Sequence, residues 1–403
     1  MWKFRIVNDA LYGSFYLPKV AWIIIDTPEF QRLKKIKQTG NTHFVYPAAE
    51  HSRFQHCLGV AHLAEQLGNK LHHEYPQFVT EKDRLLLCLA GLCHDLGHTA
   101  YSHLYDNYIV PVFDPNAHFK HEHASYYLLD RIFQRLQPEF EANGITFEDI
   151  ILIAKMILGS PEKVPSNHPE LAWTEKDRSR EYIFQVVANA STGIDVDKFD
   201  YLARDCLFTG VKMKFDSKRL MEFAVLTEVN NQISLTYESD SAKELIASMW
   251  DARNDLHRRV YQHRVVKTVD TMVCEVILRS GDMVIHNDIS LRNAHKYMSV
   301  YIELDDTLLD KIKESTTDPY TYNLITRIQT RDFWKTVATV TSTEMLHGLE
   351  LIEQIYGMKC IRSDFSRDAH RYHILNNTGI DPSPSMIIWL KHLAGNNIHV
   401  SFK

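Results

Sequence analysis

The chain has 403 residues, 45% of them hydrophobic and 24% charged, with a net charge of −6. That length allows roughly two or three structural units and a sizeable core. The acidic balance argues against a protein built to coat nucleic acid, and no apolar run approaches the roughly 20 residues that span a bilayer. The start, MWKFRIVND, lacks an apolar signal segment, so an intracellular chain, cytoplasmic or nuclear and not secreted, is expected. Six scattered cysteines without a C-x-x-C pair fit reduced thiols. The 22 histidines are many for this length, and histidine both binds metals and titrates near neutrality.

Taken in chain order, the first strong helical stripe runs over 54–73, with Cys57, Leu58, Val60, Ala61, Leu63, Ala64 and Leu67 on one face. An acidic start followed by a nearly all-apolar stretch predicts a helix over 81–92 that is buried on most sides. Helical periodicity recurs over 145–158, 181–190 and 241–275. Gln232–Tyr237 alternates after the turn-forming pair Asn230-Asn231, which predicts a short hairpin. Past residue 280 the pattern mixes: 298–304, 358–363 and 397–402 read as strands and 343–356 as a helix. The expected architecture is mainly α, a helical core over 1–280 followed by a smaller mixed α/β lobe over 281–403. That lobe is assigned to regulation or oligomerisation.

The chemistry concentrates where Cys93-His94-Asp95-Leu96-Gly97-His98 ends the buried helix. A carboxylate there costs several kcal/mol unless it is paired or holds a metal. Upstream, Arg53 and His56 lie one turn apart on one helix face. Downstream, Asp195, Asp197, Lys198 and Asp200 are packed among apolar residues. The order of a histidine, a His-Asp pair and a distant aspartate resembles the metal-binding signature of the HD phosphohydrolases. By that resemblance His56, His94, Asp95 and Asp197 are the ligands, in an HD-superfamily helical core. Two imidazoles and two carboxylates suit Fe, Mn or Zn and leave positions for water and phosphate oxygens.

The resemblance narrows over DTPEFQRLKKIKQTG, HSRFQHCLGVAHLA, AGLCHDLGHTAYSH, GIDVDKFDYLARDC and ARNDLHRRVYQH. Residues 1–275 are similar to the catalytic module of the vertebrate SAM- and HD-domain deoxynucleoside triphosphate triphosphohydrolases; no SAM domain is part of the match. The resemblance implies hydrolysis of a dNTP to deoxynucleoside and intact triphosphate, with Mg accompanying the nucleotide. It also implies a homo-oligomer, a dimer or tetramer, activated by nucleotides.

Carried over residue by residue, Arg53 and Lys198 neutralise phosphate charge and Arg253 meets the γ-phosphate. His98 and His103 approach the α-phosphate. His121 is the general acid, with Glu122 and Asp106 as its orienting carboxylates. Asp197, Tyr201 and Asp205 are spaced four apart, so one helix presents all three on one face. Asp205 and Gln38 then bind the 3′-hydroxyl. Arg253, His257 and Tyr261 share the same spacing, and Tyr261 packs under the sugar and blocks a 2′-hydroxyl. Gln262 matches a base-contacting residue, although regular helical spacing turns it away from Arg253. Thr39 replaces a leucine beside the base.

In the first effector pocket Asp26 and Gln31 match guanine-reading residues, with Arg5 and Ile6 at strand positions. Lys34 there replaces an arginine and loses its bidentate contacts. In the second pocket Val45, Tyr46, Arg219 and His263 are family-like. Ser239, Ser241 and Leu245, however, replace two basic residues and an amide, so weak, altered or absent dNTP activation is expected there. Two other classes compete: an HD phosphodiesterase or nucleotidase for another phosphoester, and a nucleotide-sensing or nucleic-acid-binding protein. The basic stretches Lys212–Lys218 and Arg258-Arg259 carry the latter, but short charge runs are usually solvated faces.

Overall fold

The computed structural model describes residues 4–342, 359–366, 369–376 and 399–402, with the side chains of residues 5–335. The helix expected over 343–356 and the side chain of Cys360 lie outside the described residues.

An antiparallel hairpin, β1 (Phe4–Asp9) and β2 (Gly13–Pro18), leads into the helical core. The long helix α1 (Arg53–Glu74) starts at a reciprocal Ser52/Gln55 capping box, which satisfies two orphan backbone donors. Its apolar stripe from Cys57 to Leu71 is buried. Helix α2 (Glu81–Cys93) has a Thr80/Asp83 box and is buried on nearly every side from Leu85 on. The two helices touch main chain to main chain, since a Cβ on Gly91 would stand 2.9 Å from the Val60 carbonyl oxygen. Helices α3 (His121–Arg135), α4 (Phe147–Leu158) and α5 (Val196–Thr209) complete this first core. The hairpin β3 (Ala224–Val229) and β4 (Gln232–Tyr237) forms as expected, with Asn230 and Asn231 at φ 52° and 63° in its turn.

Three expected elements differ. The helix over 181–190 stops at Phe184, because the Asn189 side chain and backbone bond into the loop at Ser191, Thr192 and Asp195. The helix over 241–275 is two helices, α6 (Asp240–Leu256) and α7 (Arg264–Arg279), joined by a single π turn, His257–Tyr261. The His263 imidazole accepts from the Val265 N–H and starts α7 afresh. The stretch 298–304 is no strand: Met298–Tyr301 is a short helix with Val300 and Tyr301 buried. Those two side chains are needed in one apolar layer, and alternation would have put them on opposite faces.

Tyr101, Tyr105, Val273 and Ile277 share a second core with Leu291, Tyr301, Leu308, Ile325 and Trp334. The expected division near residue 280 falls inside this core. Helices α8 (Leu308–Ser315) and α9 (Pro319–Gln329) line it. An antiparallel four-stranded sheet follows, of β5 (Lys335–Ser342), β6 (Lys359–Ser366), β7 (Ala369–Asn376) and β8 (His399–Phe402), in the spatial order β8-β5-β7-β6. The strands expected near 358–363 and 397–402 lie within it. No helix among the described residues is long and apolar enough to cross a membrane.

Candidate metal centre and active-site cavity

The N-terminal end of α1, the C-terminal end of α2 and the first turn of α5 meet at one point. There His56 Nε2 and His94 Nε2 face each other at 3.1 Å, and Asp197 Oδ1 lies 3.1 Å from the first and 3.4 Å from the second. Asp95 flanks them, its oxygens 3.6 Å from His56 Nε2 and 3.5 Å from His94 Nε2. The other ring nitrogens are already committed. His56 Nδ1–H donates to Asp200 at 2.7 Å and His94 Nδ1–H to the Gly91 carbonyl at 2.8 Å. Both Nε2 lone pairs are thereby turned toward Asp197, the tautomer that a metal needs.

The electrostatics fit a cation. Burial works against charge on His56, but hydrogen bonds to Asp197 and Asp200 and the field of Asp95 raise its pKa to about 10. A field that retains a proton so strongly favours a divalent ion in its place. His56, His94 and Asp197 carry ligand atoms mutually close enough to hold one ion. Asp95, the fourth expected ligand, is also ion-paired to Arg53 Nη1.

Several supports have no simple trace in sequence. Asp200 is gripped by Arg204 through Nε at 2.8 Å and Nη2 at 2.9 Å, and Arg204 Nη1 reaches Asp9, next to the turn of the first hairpin, at 2.9 Å. A Cβ at position 59 would stand 1.9 Å from Asp200 Oδ1 and 2.4 Å from Arg204 Nη2, so only glycine admits this network. The signals available were a glycine inside a helix and an Asp/Arg pair at i,i+4. Arg32 donates to the carbonyls of Leu96 and His98, each at 2.7 Å, and holds the His-Asp turn. Tyr301 donates to the Gly97 carbonyl at 2.6 Å.

A cavity of about 590 Å³ opens beside the cluster. It is lined by Gln38, Thr39, Arg53, His103, His121, Glu122, Lys198, Tyr201, Asp205, Arg253, Tyr261 and Gln262, all expected at the site, and by His257, to which the sequence assigns no role there. His121 Nδ1–H donates to Asp106 at 2.7 Å, with Glu122 at 3.5 Å. Burial opposes its charge, yet Glu122, Asp106 and Asp95 raise its pKa to about 9. His98 differs from expectation: it is fully buried and stacks on His121 at 3.7 Å, beneath the cavity wall. Burial and the neighbouring cations Arg53 and His121 keep it neutral, while the same two cations hold the exposed His103 below the ordinary imidazole value. His98, His103, Asp106 and His121 form a second group with metal-ligand spacing.

Arg53 donates to Ser102 Oγ at 2.9 Å, and Lys198 Nζ to Asp195 at 2.9 Å. Asp205 accepts from His51 at 2.6 Å and from the Tyr261 hydroxyl. Gln262, expected at the base, lines the same cavity as Arg253, because the extra residue of the π turn resets the regular helical spacing that would turn it away. Gln38 Oε1, Thr39 Oγ1, Arg253 Nε and Gln262 Oε1 are buried there without hydrogen-bond partners.

The expected effector residues lie elsewhere. Arg5 pairs with Asp26 at 2.7 Å and stacks on Trp22, and exposed Ile6 stands on the same strand. Gln31 is bonded to the Ile25 carbonyl and to Lys34, both at 2.7 Å. Tyr46, next to Val45, donates to the Arg259 carbonyl and meets the His263 ring edge-on. Arg219 lies on the helix Ser217–Glu222. Ser239 caps α6, which also carries Ser241 and Leu245.

The HD domain family model matches residues 53–204, the segment that carries this His/Asp cluster. Beyond that segment, the chain is 35% identical over 348 residues to the deoxynucleoside triphosphate triphosphohydrolase SAMHD1 of Bos taurus, covering 83% of this chain and 58% of that protein. Identity is 35% to the Homo sapiens protein, over 84% of this chain and 56% of that one. The Dictyostelium discoideum homolog is 31% identical over 85% of this chain and 62% of its own length. The chain thus spans between half and two thirds of these curated relatives.

Proposed function

We propose that this chain is a metal-dependent deoxynucleoside triphosphate triphosphohydrolase. The observation that carries the reading is a His/Asp cluster spaced to hold a metal and the Asp106-bonded His121 side by side on one cavity, with three cations, Arg53, Lys198 and Arg253, in its wall. His56, His94, Asp95 and Asp197 would hold the metal, with iron, manganese or zinc suited to the donors. Bound there, the ion would polarise a phosphate oxygen and acidify a water.

The protein's own groups supply the rest. Arg53, Lys198 and Arg253 hold a triphosphate, accompanied by Mg. As the water oxygen bonds the α-phosphorus, the bond to the 5′-oxygen breaks, and His121 Nε2–H delivers the proton that oxygen needs. Asp106 keeps the imidazole in the donating orientation. Tyr261, fixed by Asp205, forms a floor that excludes a 2′-hydroxyl, and Gln38 and Asp205 take the 3′-hydroxyl. In the effector regions, guanine nucleotide binds near Arg5, Asp26, Gln31 and Lys34. The second pocket gives little dNTP activation, so strong dNTP-dependent tetramerisation at fixed GTP would refute that part.

The test is product analysis of the purified chain with a dNTP, GTP and Mn²⁺. Deoxynucleoside plus tripolyphosphate is expected; release of inorganic phosphate would move the chain to the phosphodiesterase and nucleotidase class. Asp197→Ala is expected to lose both bound metal and turnover.

A further inference from the structure

One wall of the cavity is not used by the roles above. It is formed by α7 and the turn Gly40–Phe44, and it carries Asn41, Lys267 and Asp270. Lys267, only 6% exposed, donates to Asp270 Oδ2 at 2.9 Å. Asn41, 2% exposed, donates its amide N–H to Asp270 Oδ1 at 2.9 Å. That bond fixes the amide orientation, because a carboxylate only accepts. The Asn41 Oδ1 acceptor is left buried without a partner. An orphaned buried acceptor is costly unless a ligand satisfies it.

Asp270 is bonded to both neighbours, so the order along the wall is donor, acceptor, acceptor: Lys267 Nζ, the Asp270 carboxylate, Asn41 Oδ1. Lys267 is held in place over the Tyr108 ring, 5.1 Å from its centroid, and has two N–H groups left after Asp270. The Watson–Crick edge of guanine is the complement: O6 accepts, N1–H and N2–H₂ donate. Cytosine presents donor, acceptor, acceptor and so sets like against like at every position, adenine presents a donor where Lys267 donates, and thymine an acceptor opposite Asn41 Oδ1. Charge-assisted bonds make each mismatch costly.

We infer that Lys267, Asp270 and Asn41 read guanine, making dGTP the preferred substrate. The inference rests on the proposed dNTP reading of the cavity and specifies its base. The experiment is kcat/KM for dGTP, dATP, dCTP and dTTP with the full chain and Mn²⁺, beside thermal-shift binding of the same four nucleotides. A dGTP preference of about tenfold or more is expected. Lys267→Met should bring the four within about twofold. Asn41→Leu, which leaves the ion pair in place, should move the dGTP:dTTP ratio at least about fivefold toward dTTP. Equal turnover of all four by the parent chain, or an unchanged preference in both variants, overturns the inference. If no dNTP is hydrolysed, the catalytic proposal fails; guanine-selective thermal shifts that Lys267→Met abolishes would still uphold the base assignment, and unselective shifts would end it.

Discussion

A single missing side chain makes room for the support of the metal ligands. Position 59 faces Asp200 and Arg204 at distances no Cβ tolerates. Gly59→Ala must therefore push apart a fully buried ion pair, and a loss of about 3 kcal/mol is expected, as for overpacking combined with a disturbed buried pair. Thermal denaturation should report it, and metal analysis should find the ion depleted, because His56 loses the acceptor that fixes its tautomer. His121 makes a different prediction. Its pKa, raised to about 9, lies above the value near 6.5 of a free imidazole. Its charged-pair stabilisation is therefore complete below about pH 6.5 and lost as pH rises through about 9. The rate should fall on the same alkaline limb, and Asp106→Asn should move that limb to lower pH. An alkaline limb unmoved in the variant would exclude His121 as its source.

At the scale of elements, the turn after the His-Asp pair is the strained part. Tyr101 and Ser102 both adopt positive φ, 60° and 57°. The conformation is held by Asp306, which accepts from Tyr101 N at 2.7 Å and from Lys37 N at 2.8 Å. Burial raises the Asp306 pKa to about 6 against these hydrogen bonds. The folded protein then holds a proton that the unfolded chain has released, so this contribution to stability falls as pH rises from about 4 to about 6. Denaturant titrations across that range should show a slope that Asp306→Asn removes. The sequence made the helices carrying the ligands legible, because capping boxes and apolar stripes are local. It also revealed the cavity-lining groups, through their spacing on α5 and through family likeness. Asp306 and Arg32 escaped because their partners lie far along the chain, and Arg204 because its i,i+4 pairing with Asp200 is an ordinary helix feature while its bond to Asp9 crosses the chain. The π turn escaped because regular periodicity cannot announce one extra residue; regular spacing alone turned Gln262 away from Arg253, and only the family likeness kept it at the site.

At the scale of the molecule, the two cores are not independent. Thr99 donates to the Leu304 carbonyl at 2.8 Å and Tyr301 reaches Gly97, so the segment beyond residue 280 buttresses the catalytic turn. The mixed composition past 280 suggested a smaller second lobe; composition records neither Tyr301 packing on Tyr105 nor Asp306 bonding two loops. Ending the chain after residue 280 should abolish cooperative melting and metal retention together. A truncated chain that melts sharply and keeps its metal would contradict this coupling.

Gly97 sets one further relation. A Cβ there would lie 2.1 Å from the His121 carbonyl oxygen and 2.3 Å from Ser125 N. The turn bearing His94 and Asp95 and the helix bearing His121 therefore abut main chain on main chain. Side-chain replacement elsewhere in the core can alter packing around this joint but not its thickness, which is set by atomic radii. The spacing between acid and metal behaves as a fixed gauge rather than an adjustable fit. Gly97→Ala should act as a shim, displacing His121 and lowering turnover while the ion stays bound, the opposite of the pattern expected for Gly59→Ala.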